Sequence, residues 1–428
     1  MNVLAGELNS ILEGTVVSDL LSDFGKRFYF PKGIVAQSAE AKKKATRFNA
    51  TVGMATSNGN PMFLKSVRDQ ISGVAETEVF PYAPTPGVLE LRTKWREEMD
   101  QKNPSLAGKT TSVPLVTSGL THGLSVLGDM FFDKGDTLVV PDMFWGNYRL
   151  IFEGRNEASI STFPFFSEDG GMNITGFEKA LKDAPGDKVA FVLNFPNNPT
   201  GYTPTVEDGD KIILLLNKLA GNGKKILAIM DDAYFGLFYE NESLKESLFG
   251  KIADLHENIL AVKVDGITKE NFAWGFRIGF LTFAGKNLST EVLSALTTKT
   301  SGAIRASISN SNRLAQSLVL KSFTASTYQD EKNEGFTILK DRYLKVRELV
   351  DSFDQNSPLK ALPFNSGYFM TFLYNGDSEK LRIHLLDEYG IGTISIQGKY
   401  LRIAYSSVEL ENLDELYTLV DKAAREIL

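Results

Sequence analysis

Apolar runs alternate with segments of helical periodicity through the middle of the chain. Several of the runs are apolar on both faces, which is typical of strands buried in a parallel sheet. The pattern predicts strands at residues 113–117, 137–140, 188–194, 225–230, 259–264 and 278–283. It predicts helices at residues 119–131, 205–219, 290–300, 314–323 and 336–353. This alternation indicates an α/β protein with a mostly parallel central sheet covered by helices.

The pattern changes after Pro358. Two shorter strands are predicted there, at residues 368–374 and 401–405, and an amphipathic helix is predicted at residues 410–427. This part of the chain therefore indicates a second, smaller α/β unit with helices beside its strands.

The predicted elements suggest a division into two domains. We predict a large domain at residues 66–320, which contains the central sheet. The first 65 residues have weak periodicity, and we expect them to pack against the C-terminal unit. The smaller domain is therefore predicted to combine residues 1–65 with residues 321–428.

Composition excludes several kinds of chemistry. The chain has 428 residues, no cysteine, three histidines and a net charge of −7. Without cysteine there can be no disulfides, thiolate catalysis or thiolate metal sites, and three scattered histidines predict no metal centre. The mild negative charge argues against nucleic-acid binding, and no apolar run approaches the roughly 20 residues of a membrane span. The first residues lack the features of a signal peptide, so we expect a cytoplasmic protein.

Polar and aromatic residues follow four of the predicted strands. These segments are Trp145, Asn194-Phe-Pro-Asn-Asn-Pro-Thr-Gly201, Asp231-Asp-Ala-Tyr234 and Gly266-Ile-Thr-Lys269. Ligands of open parallel sheets bind at the carboxyl ends of the strands, so the four segments predict one site. Each also has a purely structural interpretation. Asn-Pro-Thr-Gly is a common turn, an aspartate can cap a helix, a lone tryptophan is more often a core residue, and most lysines are solvated.

Taken together, three of these motifs resemble the class I/II aminotransferases. They are the Asn194–Gly201 segment, Asp231-x-Ala-Tyr234, and Thr268-Lys269 followed eight residues later by Arg277-Ile-Gly279. The resemblance extends from about Asn49 to Arg402. It implies the pyridoxal-phosphate-dependent transferase fold type I, with a large and a small domain, and pyridoxal 5′-phosphate (PLP) as cofactor.

The chemistry of a cofactor-binding lysine fits Lys269. An amine attacks a carbonyl only when it is neutral, so such a lysine must be desolvated or lie beside cations. The resemblance implies that Lys269 attaches the cofactor as a Schiff base and later moves the substrate proton. It implies that Arg277 pairs with the phosphate and that Asp231 keeps the pyridine nitrogen protonated.

The resemblance assigns further cofactor contacts. It implies that Tyr234 and Asn198 bind the phenolate oxygen and that Trp145 stacks on the ring. A helix N-terminus suits the dianionic phosphate, because its backbone N–H groups are free to donate. The residues at that N-terminus are Gly119, Leu120 and Thr121.

One position departs from the family pattern. The family usually has a serine three residues before the lysine, where it donates to the phosphate, and this chain has Gly266 there. We expect one phosphate hydrogen bond to be missing or supplied by Thr268 or a water. The departure concerns the affinity for the cofactor and not the chemistry.

Other residues are implied to bind the substrate. A guanidinium binds a carboxylate through two hydrogen bonds, and Arg402 matches the arginine that holds the α-carboxylate. Gly53 resembles the glycine that lets the backbone approach the substrate, beside Asn198 and Trp145. Tyr82 matches the tyrosine that reaches the phosphate of the neighbouring subunit, which implies a homodimer with shared active sites.

Arg305 bears on the choice of substrate. It lies in Ile304-Arg-Ala-Ser-Ile-Ser-Asn310, which we predict as a loop. The segment resembles the one that carries the distal-carboxylate arginine of aspartate and aromatic aminotransferases, which acts from the partner subunit. The alternative is a solvated loop arginine.

These features predict an aminotransferase with small-molecule amino-acid and oxo-acid substrates. We expect it to move the amino group of an L-amino acid, aspartate or aromatic, to 2-oxoglutarate by a ping-pong mechanism. A β-eliminating carbon–sulfur lyase of the same fold would share Lys269, Asp231 and Arg402 and is the alternative. A PLP-binding regulator is disfavoured, because the residues before Asn49 are too few and insufficiently basic for a DNA-binding domain.

Overall fold

The computed structural model describes residues 2–29 and 33–428. Its helices are, in chain order, α1 (Val3–Leu12), α2 (Val16–Leu20), α3 (Asp23–Arg27), α4 (Ile34–Lys44), α5 (Lys65–Arg68), α6 (Glu76–Val79), α7 (Leu89–Lys102), α8 (Gly119–Phe131), α9 (Ile174–Asp183), α10 (Val206–Gly221), α11 (Leu248–Ile252), α12 (Thr290–Ile308), α13 (Arg313–Phe323), α14 (Tyr328–Asp351), α15 (Ser378–Tyr389) and α16 (Leu413–Glu426). Its strands are β1 (Phe48–Asn49), β2 (Thr56–Ser57), β3 (Asn60–Pro61), β4 (Leu115–Thr117), β5 (Thr137–Pro141), β6 (Ser159–Phe163), β7 (Lys188–Asn194), β8 (Lys225–Asp231), β9 (Ile259–Gly266), β10 (Gly279–Ala284), β11 (Leu359–Ala361), β12 (Met370–Tyr374), β13 (Ile391–Gly392), β14 (Ile394–Ile396) and β15 (Tyr400–Ile403). Short 3₁₀ turns lie at Pro104–Leu106, Trp274–Phe276, Tyr405–Ser407 and Leu410–Asn412, and a π-helix lies at Arg149–Arg155.

The central sheet has the strand order β4-β10-β9-β8-β7-β5-β6. From β9 to β6 the neighbouring strands are parallel, whereas β10 runs antiparallel to both β9 and β4. The side chains of one strand alternate between two cores, so that Phe191 of β7 packs with α9 and α10 while Val192 packs with α8. The sheet is therefore buried on both faces, which confirms the mostly parallel α/β fold.

Each of the six strands predicted for the large domain is present, with ends shifted by at most two residues. The edge strand β6 was not predicted. It contains Ser159, Ser161 and Thr162 and is partly exposed along most of its length. An edge strand of this kind has no continuous apolar run, so its sequence does not differ from that of a loop.

Two predicted helices are longer than their periodicity indicated. The helix predicted to end at residue 300 continues to Ile308, through a stretch that contains Gly302 and two serines. The helix predicted to begin at residue 336 is α14, which begins at Tyr328. Its first turns are polar, and one of the side chains that they bury is Lys332, so they show no apolar period. None of the helices within residues 2–29 and 33–428 is both long and apolar enough to cross a membrane.

The C-terminal unit is built on a second, antiparallel sheet with the order β11-β12-β15-β14. The predicted strands at 368–374 and 401–405 correspond to β12 and β15. β12 begins two residues later than predicted, at Met370. β15 ends two residues earlier than predicted, at Ile403, because Tyr405 already begins a 3₁₀ turn. The predicted C-terminal helix begins at Leu413, after a second 3₁₀ turn.

The N-terminal segment contacts both parts of the molecule. β1 pairs in parallel with β13, which joins the start of the chain to the C-terminal unit. Earlier in the chain, Arg27 forms an ion pair with Glu157 at 3.2 Å, beside the central sheet. The proposed domain boundaries at residues 65 and 320 stay a prediction.

Candidate active site

The carboxyl ends of β7, β8 and β9 bring three of the predicted segments to one edge of the central sheet. Asn194 at the end of β7 pairs with Asp231 at the end of β8. The Asn194 side-chain amide donates to the Asp231 carbonyl at 2.7 Å, and its oxygen accepts from the Asn198 backbone at 2.8 Å. The turn that follows β7 is therefore fixed directly to the end of β8.

A close approach fixes the far end of the same turn. Gly201 has φ +78, and a Cβ there would collide with the Phe369 carbonyl. Its own carbonyl accepts from the backbone N–H groups of Asn365 and Ser366, both at 2.9 Å. Only glycine permits this contact, which brings Phe369 to the edge of the central sheet.

Asp231 is buried at the end of β8, at the sheet edge where the candidate pocket lies. It is 3% exposed, and the Tyr148 hydroxyl donates to its carboxylate at 2.6 Å. Burial raises the pKa of Asp231 to about 6, although the hydrogen bond from Tyr148 opposes this rise. The carboxylate is thus positioned to pair with a cation that enters the pocket.

Lys269 lies opposite, after β9. Its Nζ donates to the Gly53 carbonyl at 2.9 Å and lies 4.9 Å from the centre of the Tyr234 ring. Burial lowers the pKa of Lys269 to about 7, with further lowering by Arg402 and Arg277. A large fraction of this amine is therefore neutral near pH 7, as a nucleophile or general base requires.

Gly53 brings backbone into the same pocket. A Cβ at this position would lie 3.0 Å from the Phe369 ring, 3.4 Å from Lys269 Nζ and 3.4 Å from the Tyr234 hydroxyl. A side chain at residue 53 would therefore fill the space between the amine and the tyrosine. The approach of this backbone to the substrate stays a prediction.

Arg402 is a buried cation on β15. It is 2% exposed, and its guanidinium donates to Asn198 Oδ1 at 3.0 Å and to the Thr51 carbonyl at 2.8 Å. It also lies 4.4 Å from the centre of the Phe369 ring. Its Nε has no hydrogen-bond partner, and burial lowers the pKa of Arg402 to about 10. No carboxylate among the described residues pairs with it, so the arginine is prepared to bind an anion.

The other end of the pocket is the N-terminus of α8. Gly119 has φ +77, and Ser118 gives the helix no side-chain cap. A Cβ at Gly119 would collide with the Arg277 guanidinium, so the arginine lies directly against the first turn. The backbone N–H groups of the first turn of α8, which includes Leu120 and Thr121, thus lie beside the Arg277 guanidinium. This arrangement is suitable for binding a phosphate.

The structure explains the glycine at position 266. A Cβ there would lie 2.6 Å from the Ile278 carbonyl and 3.0 Å from Leu120 Cδ1. Because β10 and α8 pack so closely, no serine side chain can be placed at this position. The buried hydroxyl of Thr268, two residues on, has no hydrogen-bond partner and is free to donate to a ligand.

Three predicted site residues are less closely tied to the pocket. Trp145 is half-buried and contacts the Tyr148 ring edge-on at 5.7 Å. Tyr82 is 90% exposed. Arg305 is exposed in the last turn of α12, where it donates to Ser309 at 2.9 Å, so the prediction of a loop at this position was wrong. One chain alone does not bring Tyr82 or Arg305 to Lys269.

Sequence reasoning missed Tyr148 and Thr51. Tyr148 lies three residues after Trp145, at the start of the π-helix, and its role is visible only in its hydrogen bond to Asp231. Thr51 contributes a backbone carbonyl, which no sequence pattern reveals. Both act on residues that the sequence did identify.

Residues 52–419 match the family model described as aminotransferase class I and II, and the chain belongs to this family. It is 24% identical over 361 residues to an aromatic amino acid aminotransferase of Dictyostelium discoideum, covering 77% of this chain and 70% of that protein. It is 25% identical over 272 residues to an aspartate aminotransferase of Bacillus sp. (strain YM-2), covering 62% and 64%. An aminotransferase structure from Anaerococcus prevotii matches with a TM-score of 0.84 at 24% identity, covering 95% of this chain and 99% of that one.

The fold type I assignment is thereby confirmed, and the protein is a PLP-dependent aminotransferase. The residues of the pocket fit this cofactor. Asp231 provides a buried carboxylate for the ring nitrogen, while the uncapped α8 N-terminus and Arg277 can receive the phosphate. The buried Thr268 hydroxyl, which has no partner, provides a further donor.

The hydrogen bond from Tyr148 gives a testable pH effect. We expect Tyr148→Phe to raise the pKa of Asp231 from about 6 by about 1 pH unit, because a donor to the charged carboxylate is lost. The Kd for PLP should then increase about fivefold at pH 6 and little at pH 8, where Asp231 is ionised in both proteins. Titration of the cofactor-free protein at both pH values measures this.

Tyr202→Phe is the matched control, because the Tyr202 hydroxyl donates to a different buried carboxylate, Asp208, at 3.3 Å. It should leave the affinity for PLP unchanged at both pH values. An equal loss of affinity at pH 6 and pH 8 in Tyr148→Phe would contradict a role in setting the charge of Asp231.

Proposed function

We propose that this aminotransferase takes the amino group of an L-amino acid, aspartate or aromatic, and transfers it to 2-oxoglutarate. The observation that carries the proposal is Arg402, a buried guanidinium that has no carboxylate partner within residues 2–29 and 33–428 and lies close enough to Lys269 to lower its pKa. Amino acids and 2-oxo acids both have a carboxylate next to the reacting carbon, so one arginine can serve both substrates in turn. The relatives named as aromatic amino acid and aspartate aminotransferases support this donor class.

The residues of the pocket would hold the cofactor at defined atoms. When bound, PLP withdraws electrons from the substrate Cα. Asp231 would keep the ring nitrogen protonated, and Arg277 and the α8 N-terminus would bind the phosphate. Burial raises the pKa of Tyr234, so its hydroxyl keeps its proton and can donate to the phenolic oxygen together with Asn198. Trp145 would cover one face of the ring.

Lys269 would perform the proton transfers. With a pKa of about 7, its amine can take a proton from the substrate Cα and later give it back to the substrate without a large energetic penalty in either direction. Arg402 would hold the α-carboxylate and so fix which Cα bond points toward the amine. Reaction choice between transamination and elimination depends on this orientation.

We also propose that the enzyme is a homodimer with shared active sites. Tyr82 is 90% exposed and the nearby Phe80 is 81% exposed, and large exposed aromatic side chains are typical of protein contacts. In such a dimer Tyr82 would contact the phosphate in the neighbouring subunit, and Arg305 would approach the substrate there.

A donor screen tests the proposed reaction. The purified enzyme, loaded with PLP, is assayed for glutamate formation from 2-oxoglutarate with aspartate, tyrosine, phenylalanine and alanine as donors. Parallel lines in double-reciprocal plots would support the ping-pong order. Release of pyruvate from cystathionine or cysteine, without glutamate formation from any donor, would instead establish the β-eliminating lyase.

Arg305 tests the selectivity for acidic donors. We expect Arg305→Ala to lower kcat/KM for aspartate about 30-fold or more, because one charge-assisted carboxylate contact is lost, and to change kcat/KM for phenylalanine less than threefold. Lys299→Ala, another exposed cation on α12, is the control and should change neither. Equal losses of kcat/KM for both donors would show that Arg305 does not bind the distal carboxylate.

A further inference from the structure

Helix α14 fixes the three residues that follow Lys269. Glu270 forms an ion pair with Lys332 at 3.0 Å, and the Asn271 amide donates to the Tyr328 hydroxyl at 2.7 Å. Phe272 packs into the notch at Gly335, where a Cβ would collide with its ring. The helix residues lie at positions 328, 332 and 335, which is one face of an α-helix. Each of the three side chains at residues 270–272 therefore contacts α14.

Glu270 is the centre of this contact. A second lysine, Lys102 at the end of α7, donates to its carboxylate at 2.6 Å. Although burial raises the pKa of Glu270, the two ammonium groups outweigh this effect and lower it to about 2. Gly236, with φ +96, leaves room for the carboxylate, because a Cβ there would lie 2.5 Å from Oε1. One carboxylate thus joins the Lys269 segment to two helices.

Packing alone does not hold Glu270 in place. A cavity of about 230 Å³ adjoins it, lined by polar side chains such as Glu98 and Gln101 and by Phe336. A side chain released from its lysines would have space to move. The ion pairs, rather than close-packed neighbours, therefore fix the conformation of Glu270.

The same helix reaches the substrate side of the pocket. Ten residues beyond Lys332, about 15 Å along the helix, Arg342 donates to the Ser406 carbonyl at 2.6 Å and pairs with Glu409 at 2.6 Å. Ser406 lies in the 3₁₀ turn Tyr405–Ser407, three residues after the end of β15, the strand that carries Arg402. α14 thus contacts the segments of both Lys269 and Arg402.

We propose that Glu270 is a positioning residue, which holds Lys269 in the pocket by anchoring the following segment to α7 and α14. The proposal rests on the proposed function of Lys269. Glu270 does not act on the amine as a charge, because its carboxylate is turned to Lys102 and Lys332. The Lys269 amine is faced by titratable or charged groups from all the elements packed against it. They are Asp231, Tyr234, Arg277, Arg402 and the Tyr368 ring.

A change at Glu270 could alter the pKa of Lys269 directly, through its charge, or indirectly, through the position of the amine. These two effects on the pKa differ in sign. Removing a nearby negative charge would lower the pKa of Lys269. Releasing the segment would let water reach the amine and move it from Arg402 and Arg277, so its pKa would rise toward the ordinary lysine value. The double variant Glu270→Gln/Lys332→Met removes one negative and one positive charge and keeps the net charge constant. A shift in the pKa of Lys269 in that variant therefore reports a change in the position of its amine.

The experiment uses cofactor-free protein and needs no enzymatic activity. Brief acetylation with acetic anhydride at a series of pH values, followed by mass spectrometry of the Lys269 peptide, gives the pH midpoint of its reactivity. We expect a midpoint near 7 in the unmodified chain and one at least about 1 pH unit higher in the double variant, with acetylation at pH 7 slower by about fivefold or more. The double variant avoids the unpaired buried Lys332 that Glu270→Gln alone would leave. Lys102 also loses the carboxylate, but its side chain is 27% exposed and can be hydrated, so the double variant should fold.

Asp414→Asn is the matched control, since it breaks the ion pair between Lys345 of α14 and Asp414 of α16, which does not contact the Lys269 segment. It should leave the midpoint unchanged. An unchanged or lowered midpoint in the folded double variant would overturn the proposal. If borohydride with added PLP fails to label Lys269 in the unmodified chain, the proposed function fails instead, and the acetylation midpoints still decide the role of Glu270.

Discussion

Lys269→Ala should abolish aminotransferase activity, with kcat lowered by at least about 10⁴-fold, because the residue would serve both as covalent attachment point and as proton carrier. PLP should still bind through Arg277, Asp231 and the α8 N-terminus, but no cofactor should become covalently attached. Borohydride treatment followed by mass spectrometry should therefore label the Lys269 peptide of the unmodified chain and no peptide of the variant. Glutamate formation from 2-oxoglutarate measures the loss of activity.

The pH dependence of attachment adds a second measurement. The pKa of Lys269 is lowered to about 7, so the neutral amine becomes the main form above pH 7 and its ammonium form below. The rate at which cofactor-free protein captures PLP should therefore rise with pH and level off above about 8. Lys299→Ala, an exposed lysine, is the control and should retain label and rate. A labelled cofactor in Lys269→Ala would assign the chemistry to another lysine.

The central sheet could be predicted because burial on both faces leaves long apolar runs in the sequence. Asp231 and Lys269 follow such runs, so their place at one sheet edge could be inferred without a structure. The edge strand β6 and the first turns of α14 could not be predicted. Their exposed faces or buried polar side chains, such as Lys332, remove the periodicity on which prediction depends.

The supporting residues of the pocket lay beyond sequence reasoning. Tyr148 and Glu270 act through partners that are distant in sequence, Asp231 for the first and Lys102 and Lys332 for the second. Such contacts depend on how helices pack on the sheet and leave no local pattern.

The pocket also concentrates positive charge in a chain with a net charge of −7. Arg277 and Arg402 have no carboxylate partner among the described residues, and both lower the pKa of Lys269. This arrangement is unfavourable in the cofactor-free chain and becomes favourable once anionic ligands bind. Removal of one of these cations should therefore lower activity while leaving the free energy of unfolding nearly unchanged.

Arg402→Met should show most clearly that activity is lost while stability is kept. We expect kcat/KM to fall about 10²- to 10³-fold for every amino-acid donor, because the α-carboxylate loses a buried, charge-assisted contact. The free energy of unfolding should stay within about 1 kcal/mol of the unmodified chain, since relief from burying an unpaired cation offsets the hydrogen bonds lost to Asn198 and Thr51. Steady-state kinetics and denaturant unfolding of the cofactor-free protein measure the two quantities.

Arg382→Met is the mirror-image control. Arg382 is also buried, but it pairs with Glu40 at 3.1 Å and Glu379 at 2.7 Å, on α4 and α15. Its removal should lower stability, because Glu379 loses its ion pair with Arg382 and Glu40 keeps only the one with Lys44, while kcat/KM stays unchanged below the unfolding temperature. If Arg402→Met instead kept its kcat/KM, or lost it for aspartate but not for phenylalanine, Arg402 would not be the α-carboxylate site. The buried cation would then need a different anion to account for its place beside Lys269.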